Sequence, residues 1–326
     1  MPFRNILGRG SRTQQSAEQS AENDTPNTHS DLRTIFEWAG ASIMGADHFR
    51  PLVLHNCQDS HHVVLGQELI VAVVCDGCTT GFPDNNHSHT EIGAQLGSRL
   101  LARELFTQFS AAQRLNRLSF DAFQTGLILE RVRSNVLTKL GALVQDITCA
   151  EAGESLNNVL TNYCMFTVVA TVIGWDHAYV FNVGDGTIII NGYSIPIGPF
   201  PENKPPYIGY SLTGSSIDPE LLKFKVQWSM PTYELRTLLL GSDAVAAEFF
   251  AKQDELLPGR DVVLGPVDQF WEQDSYFRNA DALRRKLALA NRVPNSVRLG
   301  CGTSPLFNDD LTIVTIRRKP PAQPEE

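Results

Sequence analysis

The spacing of apolar and polar positions changes several times along the chain, and each change marks an element. Residues 1–33, which include "GRGSRTQQSAEQSAENDTPNTHS", are polar and nearly free of large apolar side chains. Such a segment cannot bury enough surface to offset its ordering entropy. It reads as a disordered tail, with folded sequence starting between Leu32 and Trp38 and a single domain over 34–319. Around Val63–Val74, "HHVVLG" and "ELIVAVV" are β-rich runs split by Gly66-Gln67, a predicted hairpin. From Glu91 the period lengthens. "EIGAQLGSRLLARELFTQF" places Ile92, Leu96, Leu100 and Leu101 on one face of a helix, and Phe120–Val144 continues as a second long helix.

Strands return in "CMFTVVATVIG", "HAYVFNVG" and "TIIING", with turns at Gly174-Trp175-Asp176 and Gly184-Asp185-Gly186. Connections this short cannot hold crossover helices, so an antiparallel meander is predicted. Residues 193–215 are rich in Pro and Gly and read as a long irregular, flap-like segment. "YELRTLLLGSD" follows as a strand, "AVAAEFFAKQ" and "ADALRRKLALANR" as helices, "DLTIVTIRR" as a last strand, and 320–326 as a tail. Hairpins in place of regular β-α-β alternation predict an α+β domain layered on antiparallel sheets. No Gly-rich phosphate fingerprint follows the first strand, which weighs against a doubly wound fold.

With 326 residues, 42% of them apolar, the chain can build a substantial core. Its net charge of −9 comes without a dense basic patch, which argues against a nucleic-acid partner. No apolar run approaches the roughly 20 residues needed to cross a bilayer, so a soluble, membrane-free protein is expected. The six cysteines, at 57, 75, 78, 149, 164 and 301, are scattered, and Cys75 and Cys164 sit in apolar runs where a thiol acts as a small hydrophobe. A reducing, cytoplasmic compartment fits them best.

Candidate chemistry begins with "VVCDGCTTG". Its C-x-x-C frame suggests a redox pair or, with His87 and His89, half of a zinc site. Cys75 closes a β-run, however, whereas reactive pairs sit at a helix N-terminus, and packing is the simpler reading of Cys75. The inner Asp76-Gly77 belongs to a recurring context in which an apolar strand ends in an acidic turn. Asp185 in "VFNVGDG", Asp243 in "LLLGSDA" and Asp309-Asp310 in "FNDDLTIVTI" share it, and Asp59 precedes a strand in "NCQDSHHVV". One such aspartate usually means turn chemistry. Several gathered on one sheet rim would repel each other unless cations neutralised them, and oxygen-only donors select Mg²⁺ or Mn²⁺. Of the histidines, His61-His62 and His87-x-His89 read as exposed, and His48 either as able to approach the acidic rim or as a structural hydrogen-bonding residue.

In order along the chain, "GADHFRPLVLHNCQDSHHV", "VVCDGCTTG", "IGAQLGSRLL", "FTVVATVIGWDHAYVFNVGDG", "NKPPYIGYSL", "LLLGSDA" and "NDDLTIVTI" resemble motifs of the metal-dependent protein phosphatases. This is the PPM or type 2C group in its bacterial form, and the match runs from about Gly40 to Arg317. The resemblance implies a four-layer α-β-β-α sandwich of two antiparallel sheets flanked by helices. It implies hydrolysis of phosphoserine and phosphothreonine on proteins, the substrates of a Ser/Thr kinase, by water activated between two Mg²⁺ or Mn²⁺ ions. In that pattern Asp76 bridges the ions and the Gly77 carbonyl binds one of them. Asp243 and Asp309 complete the pair, Asp59 acts at close range, and Asp185 serves a third, weaker position. Asp310 supports the ligands, and His48 joins Asp59 and Asp76 as a catalytic candidate. Three positions depart from the pattern: Leu54 where an arginine grips phosphate (Arg50 is the nearest substitute), Cys78 where some members have an acidic histidine, and Ala244 in place of glycine. They motivate an alternative, a phosphatase-fold module that binds phosphoproteins without turnover; a hydrolase of small phosphate esters is a third reading.

Overall fold

Among the described residues, ten strands form two antiparallel five-stranded sheets in the computed structural model. It describes residues 31–49, 56–78, 89–115, 122–150, 155–198, 200–201, 204–292 and 304–320. Both expected tails up to residue 30 and from 321, together with Arg50, Leu54, His87 and Cys301, lie outside these residues. One sheet runs β1 (Phe36–Ile43), β10 (Leu311–Arg318), β9 (Thr237–Gly241), β6 (Thr187–Ile190), β7 (Tyr193–Ile195). The other runs β2 (Ser60–Leu65), β3 (Ile70–Gly77), β4 (Phe166–Ile173), β5 (His177–Val183), β8 (Lys225–Pro231). The helices are α1 (Leu32–Ile35), α2 (Thr90–Leu115), α3 (Ala122–Ala150), α4 (Leu156–Tyr163), α5 (Tyr210–Thr213), α6 (Phe250–Lys252), α7 (Gln269–Glu272), α8 (Ser275–Arg278) and α9 (Ala282–Ala290).

Strand parity explains the layers, because successive side chains point to opposite faces. In β3, Ile70, Ala72 and Val74 face the other sheet, where they meet Phe36, Ile188, Leu238, Leu240, Val314 and Ile316. Val71, Val73 and Cys75 face outward into a second core with Leu101, Leu105 and Phe109 of α2 and Val132, Val136 and Leu140 of α3. On the far side Ala39, Ala41, Leu239 and Ile313 pack against Leu283 and Leu287 of α9. Three apolar interfaces thus separate four layers, the sandwich anticipated above.

Three expectations are corrected. The run after β5 is not a meander: β4 and β5 pair as a hairpin, but β6 pairs with β9 and β7 in the opposite sheet. The turn at Gly184-Asp185-Gly186 therefore crosses between sheets. Gly184 (φ +83°) and Gly186 (φ +132°) adopt backbone angles there that a Cβ would resist. The face that α2 buries is Ala94, Leu101, Ala102, Leu105 and Phe109, while Ile92 is exposed and Leu96 and Leu100 are only half-buried. Small residues hold the first two turns of that face because α2 there lies too close to α4 and β4 for a large side chain: a Cβ on Gly93 would stand 1.6 Å from the Tyr163 carbonyl oxygen. Finally, 193–215 is not irregular throughout, since it contains β7 and α5. The strands β1 and β8 and the helices α1, α4, α7 and α8 had no forecast at all.

Candidate functional site

The same parity gathers the polar residues. Asp76 takes the next place after Ile70, Ala72 and Val74, so it points between the sheets while Cys75 points into the helical core. On β10, Thr312, Val314 and Ile316 share their phase with Asp310; on β9, Leu238 and Leu240 share theirs with Ser242. Asp59 leads His61 and Val63 into the same layer from β2. The apolar seam between the sheets therefore turns polar at one end. Asp185 arrives on the crossing turn, Asp243 begins the helical run after β9, and Asp309 precedes β10.

The carboxylates stand within electrostatic reach of one another. Burial, then repulsion from Asp59, Asp243, Asp309 and Asp185, raises Asp76 well above the carboxylate range, although part of its side chain still meets solvent. Asp59 is raised likewise by burial and by Asp310. Ser242 and Asp76 lie near enough to draw it back in part, yet neither oxygen of Asp59 completes a hydrogen bond. Asp185 is pushed up to about 7 by burial and Asp243. Asp309 is pushed up to about 6 by burial of its inner side and by Asp243, a shift that the water on its open side screens. Among the described residues, no three His, Cys, Asp or Glu side chains are by themselves arranged to hold a metal ion.

This electrostatics has a sign that thermal melting can check. A carboxyl whose folded pKa lies above its unfolded value of about 3.9 stabilises the fold fully below that value. The contribution is lost as pH rises through the folded pKa, here about 7 for Asp185. The metal-free protein is expected to melt several degrees lower at pH 8 than at pH 5, and Mn²⁺ at pH 8 to recover the difference. A melting temperature that rises with pH would contradict it.

Around the carboxylates is a well-bonded frame. Asp310 accepts from the Gly45 amide at 2.6 Å, from the Gln58 amide, and shares a hydrogen bond with His48 Nδ1 at 2.8 Å. His48 is buried; burial works to lower its pKa, but Asp310 outweighs it and the net shift is upward. The His48 ring thus contacts Asp310. Gly77 donates its amide to the Gln58 carbonyl at 3.1 Å, Gln58 Nε2 donates to Thr90 Oγ1 at 3.0 Å, and Thr90 Oγ1 donates to the Cys78 carbonyl at 2.9 Å. This clamp fixes the backbone after Asp76. Ala244, buried at φ −57° and ψ −23°, sits in ordinary helical space, so alanine introduces no strain there.

Other candidates fall elsewhere. Cys57, Cys75, Cys78, Cys149 and Cys164 are free thiols, and burial holds Cys75 far above the range of a reactive thiol. His61, His62 and His89 are half-buried, not exposed as expected. His61 Nδ1 meets Ser42 Oγ at 2.9 Å, and Ser42 accepts from Thr312 Oγ1 at 2.7 Å, a polar chain running under the site. Burial brings His61 down to about 4. Ser42, Ser242, Gln58 and Thr90 were not singled out in the sequence; strand parity counted from Asp76 would have found the first two.

The protein phosphatase 2C family model matches residues 54–288, more than two-thirds of the chain. The chain belongs to that family. The matched span includes Asp59, Asp76, Asp185 and Asp243 and stops before Asp309. No curated protein matches it. Among solved structures it is similar to a bacterial serine phosphatase (16% identity, 88% of this chain and 100% of that one, TM-score 0.47). It is also similar to the serine/threonine phosphatase Stp1 from Staphylococcus aureus (14%, 88% and 96%, 0.43). A third is the catalytic domain of the serine threonine protein phosphatase PstP in complex with two manganese ions (14%, 88% and 99%, 0.42). Among the described residues no helix is long and apolar enough to cross a membrane.

Proposed function

We propose that this chain is a Mg²⁺- or Mn²⁺-dependent phosphatase acting on phosphoserine and phosphothreonine of proteins, a cytoplasmic counterpart to a Ser/Thr kinase. Asp59, Asp76, the Gly77 carbonyl, Asp185, Asp243 and Asp309 are its oxygen donors. The observation that carries this reading is Asp59, a buried carboxylate with both oxygens unpartnered, beside four further carboxylates on one rim. Leaving such groups uncompensated is costly, and hard divalent cations are the partners that oxygen-only donors select.

When bound, the ions would supply a water that ionises near neutral pH and would neutralise charge on the phosphoryl oxygens. The chain's own residues prepare the place. Asp310, tied to Gly45, Gln58 and His48, holds the loop before β2 against β10, so that Asp59 and Asp309 stay close. Here His48 acts as a positioning residue through Asp310. The Gln58–Thr90–Cys78 clamp keeps the Gly77 carbonyl from rotating.

Turnover of a phosphothreonine peptide is expected with Mn²⁺ and is expected to vanish in EDTA. Activity that survives the chelator refutes the assignment. The second reading, a binding module without turnover, draws on Cys78, a thiol held beside the rim where some relatives place an acid. Titration calorimetry with Mn²⁺ separates the two, because a module binds the ion yet hydrolyses nothing.

A further inference from the structure

Beside the acidic rim lies a segment whose side chains are buried with one exception. Pro205, Pro206, Ile208 and Gly209 are buried; Tyr207 between them is half-exposed. Both flanks are pinned to the site. The Ile208 amide donates to the Phe166 carbonyl at 3.2 Å, and the Cys78 amide donates to the neighbouring Met165 carbonyl at 3.0 Å. Tyr207 and the residue after Asp76-Gly77 therefore straddle the same end of β4. On the other side, the Pro206 carbonyl comes so near the Gly184-Asp185 turn that a Cβ on Gly184 would stand 2.9 Å from it. A Cβ on Gly209 would stand 2.3 Å from the Cys164 carbonyl, so the segment lies directly against the backbone that leads into β4. Tyr207 is thus bracketed by Asp76-Gly77-Cys78 and by Asp185. Its hydroxyl stands near the Cys78 thiol, and its ring leans on Tyr210 at 5.5 Å.

We propose that the Tyr207 hydroxyl, held beside Cys78, donates a hydrogen bond to the ester oxygen of the bound phosphoseryl or phosphothreonyl group. This deepens the phosphatase reading and rests on it. A thiol is a weak acceptor, so the hydroxyl loses little in turning from Cys78 to a phosphate oxygen. A phenol keeps its proton near neutral pH, so the hydroxyl is available as a donor. In the reaction the attacking water forms the new P–O bond and gives up a proton. The ester P–O bond breaks, its electron pair goes to the serine or threonine oxygen, and that oxygen takes its final proton from solvent, giving alcohol and inorganic phosphate. Tyr207 stabilises the charge that develops on the leaving oxygen and is not consumed.

Such a donor matters most when the leaving oxygen is a poor one. Tyr207→Phe, which removes only the hydroxyl, is expected to lower kcat on a phosphothreonine peptide about 100-fold while changing kcat on p-nitrophenyl phosphate about threefold or less. KM for the peptide should rise no more than about fivefold, so that most of the loss falls on kcat. Cys78→Ala should show the same ester-selective loss in smaller measure. Titration of inorganic phosphate into the Mn²⁺-loaded protein should give a Kd raised about fivefold in Tyr207→Phe. Equal losses on both esters, or no loss, overturn the inference, since a merely structural tyrosine would not sort substrates by leaving group. If the unaltered protein hydrolyses neither ester, the phosphatase reading falls, and the phosphate Kd alone decides the tyrosine: an unchanged value overturns it.

Discussion

Replacing Asp76 by asparagine is expected to reduce phosphoester hydrolysis about a thousandfold or more while raising the melting temperature of the metal-free protein. The two changes go in opposite directions because one carboxylate is responsible for both. Asp76 sits where burial and four neighbouring carboxylates all disfavour its charge. An amide of the same shape removes the repulsion and keeps the strand pairing of Asp76 with Thr167. The same change removes the donor that the family pattern makes the bridge between ions. Calorimetric melting with and without Mn²⁺, beside a peptide turnover assay, separates the effects. Loss of activity together with a lower metal-free melting temperature would mean that Asp76 is part of the scaffold and not of a metal site.

Gly93→Ala is expected to destabilise the fold by about 3 kcal/mol or more, read as a lowered urea midpoint at unchanged slope. The new methyl would collide with the Tyr163 carbonyl, a backbone atom that cannot rotate away. Either α2 must lift from α4 or the turn into β4 must move. Thr90, in the first turn of α2, ties Gln58 to the Cys78 carbonyl, so activity should fall along with stability. Gly126→Ala on α3 is the matched control: its Cβ would meet nothing within 4 Å, and its helix should gain about 0.5–1 kcal/mol. Equal effects at the two glycines would refute the packing explanation.

Much of this was legible in the sequence where local pattern and tertiary role coincide. The β2–β3 hairpin, the two long helices and the last strand follow from periodicity alone, and the acidic turns mark strand ends because Asp is disfavoured within strands and favoured in turns. What periodicity could not supply was the partner of each strand. A turn of Gly184-Asp185-Gly186 reads as a hairpin, and only the pairing of β6 with β9 reveals a crossing. The face of α2 was misread at its start because apolar side chains were weighed by size, whereas the close approach of α4 and β4 selects Gly93, Ala94 and Gly97 there. The strand β8 was missed because it lies at a sheet edge with mostly exposed or half-buried side chains and thus lacks a buried stripe. The Gln58–Thr90 clamp joins residues 32 apart in sequence, and no local pattern records that meeting.

The pairing of β1 with β10 has a consequence for how the protein is made. Phe36 lies opposite Arg318, so the first strand of the chain finds its hydrogen-bonding neighbour only in the last. A nascent chain elongated through β9 has completed one sheet, β2-β3-β4-β5-β8, while β1 still has no strand to bind and Asp309 has not been synthesised. The acidic rim is therefore assembled only when the last strand is in place, so its carboxylates meet in the finished fold and not in a fragment that ends at β9.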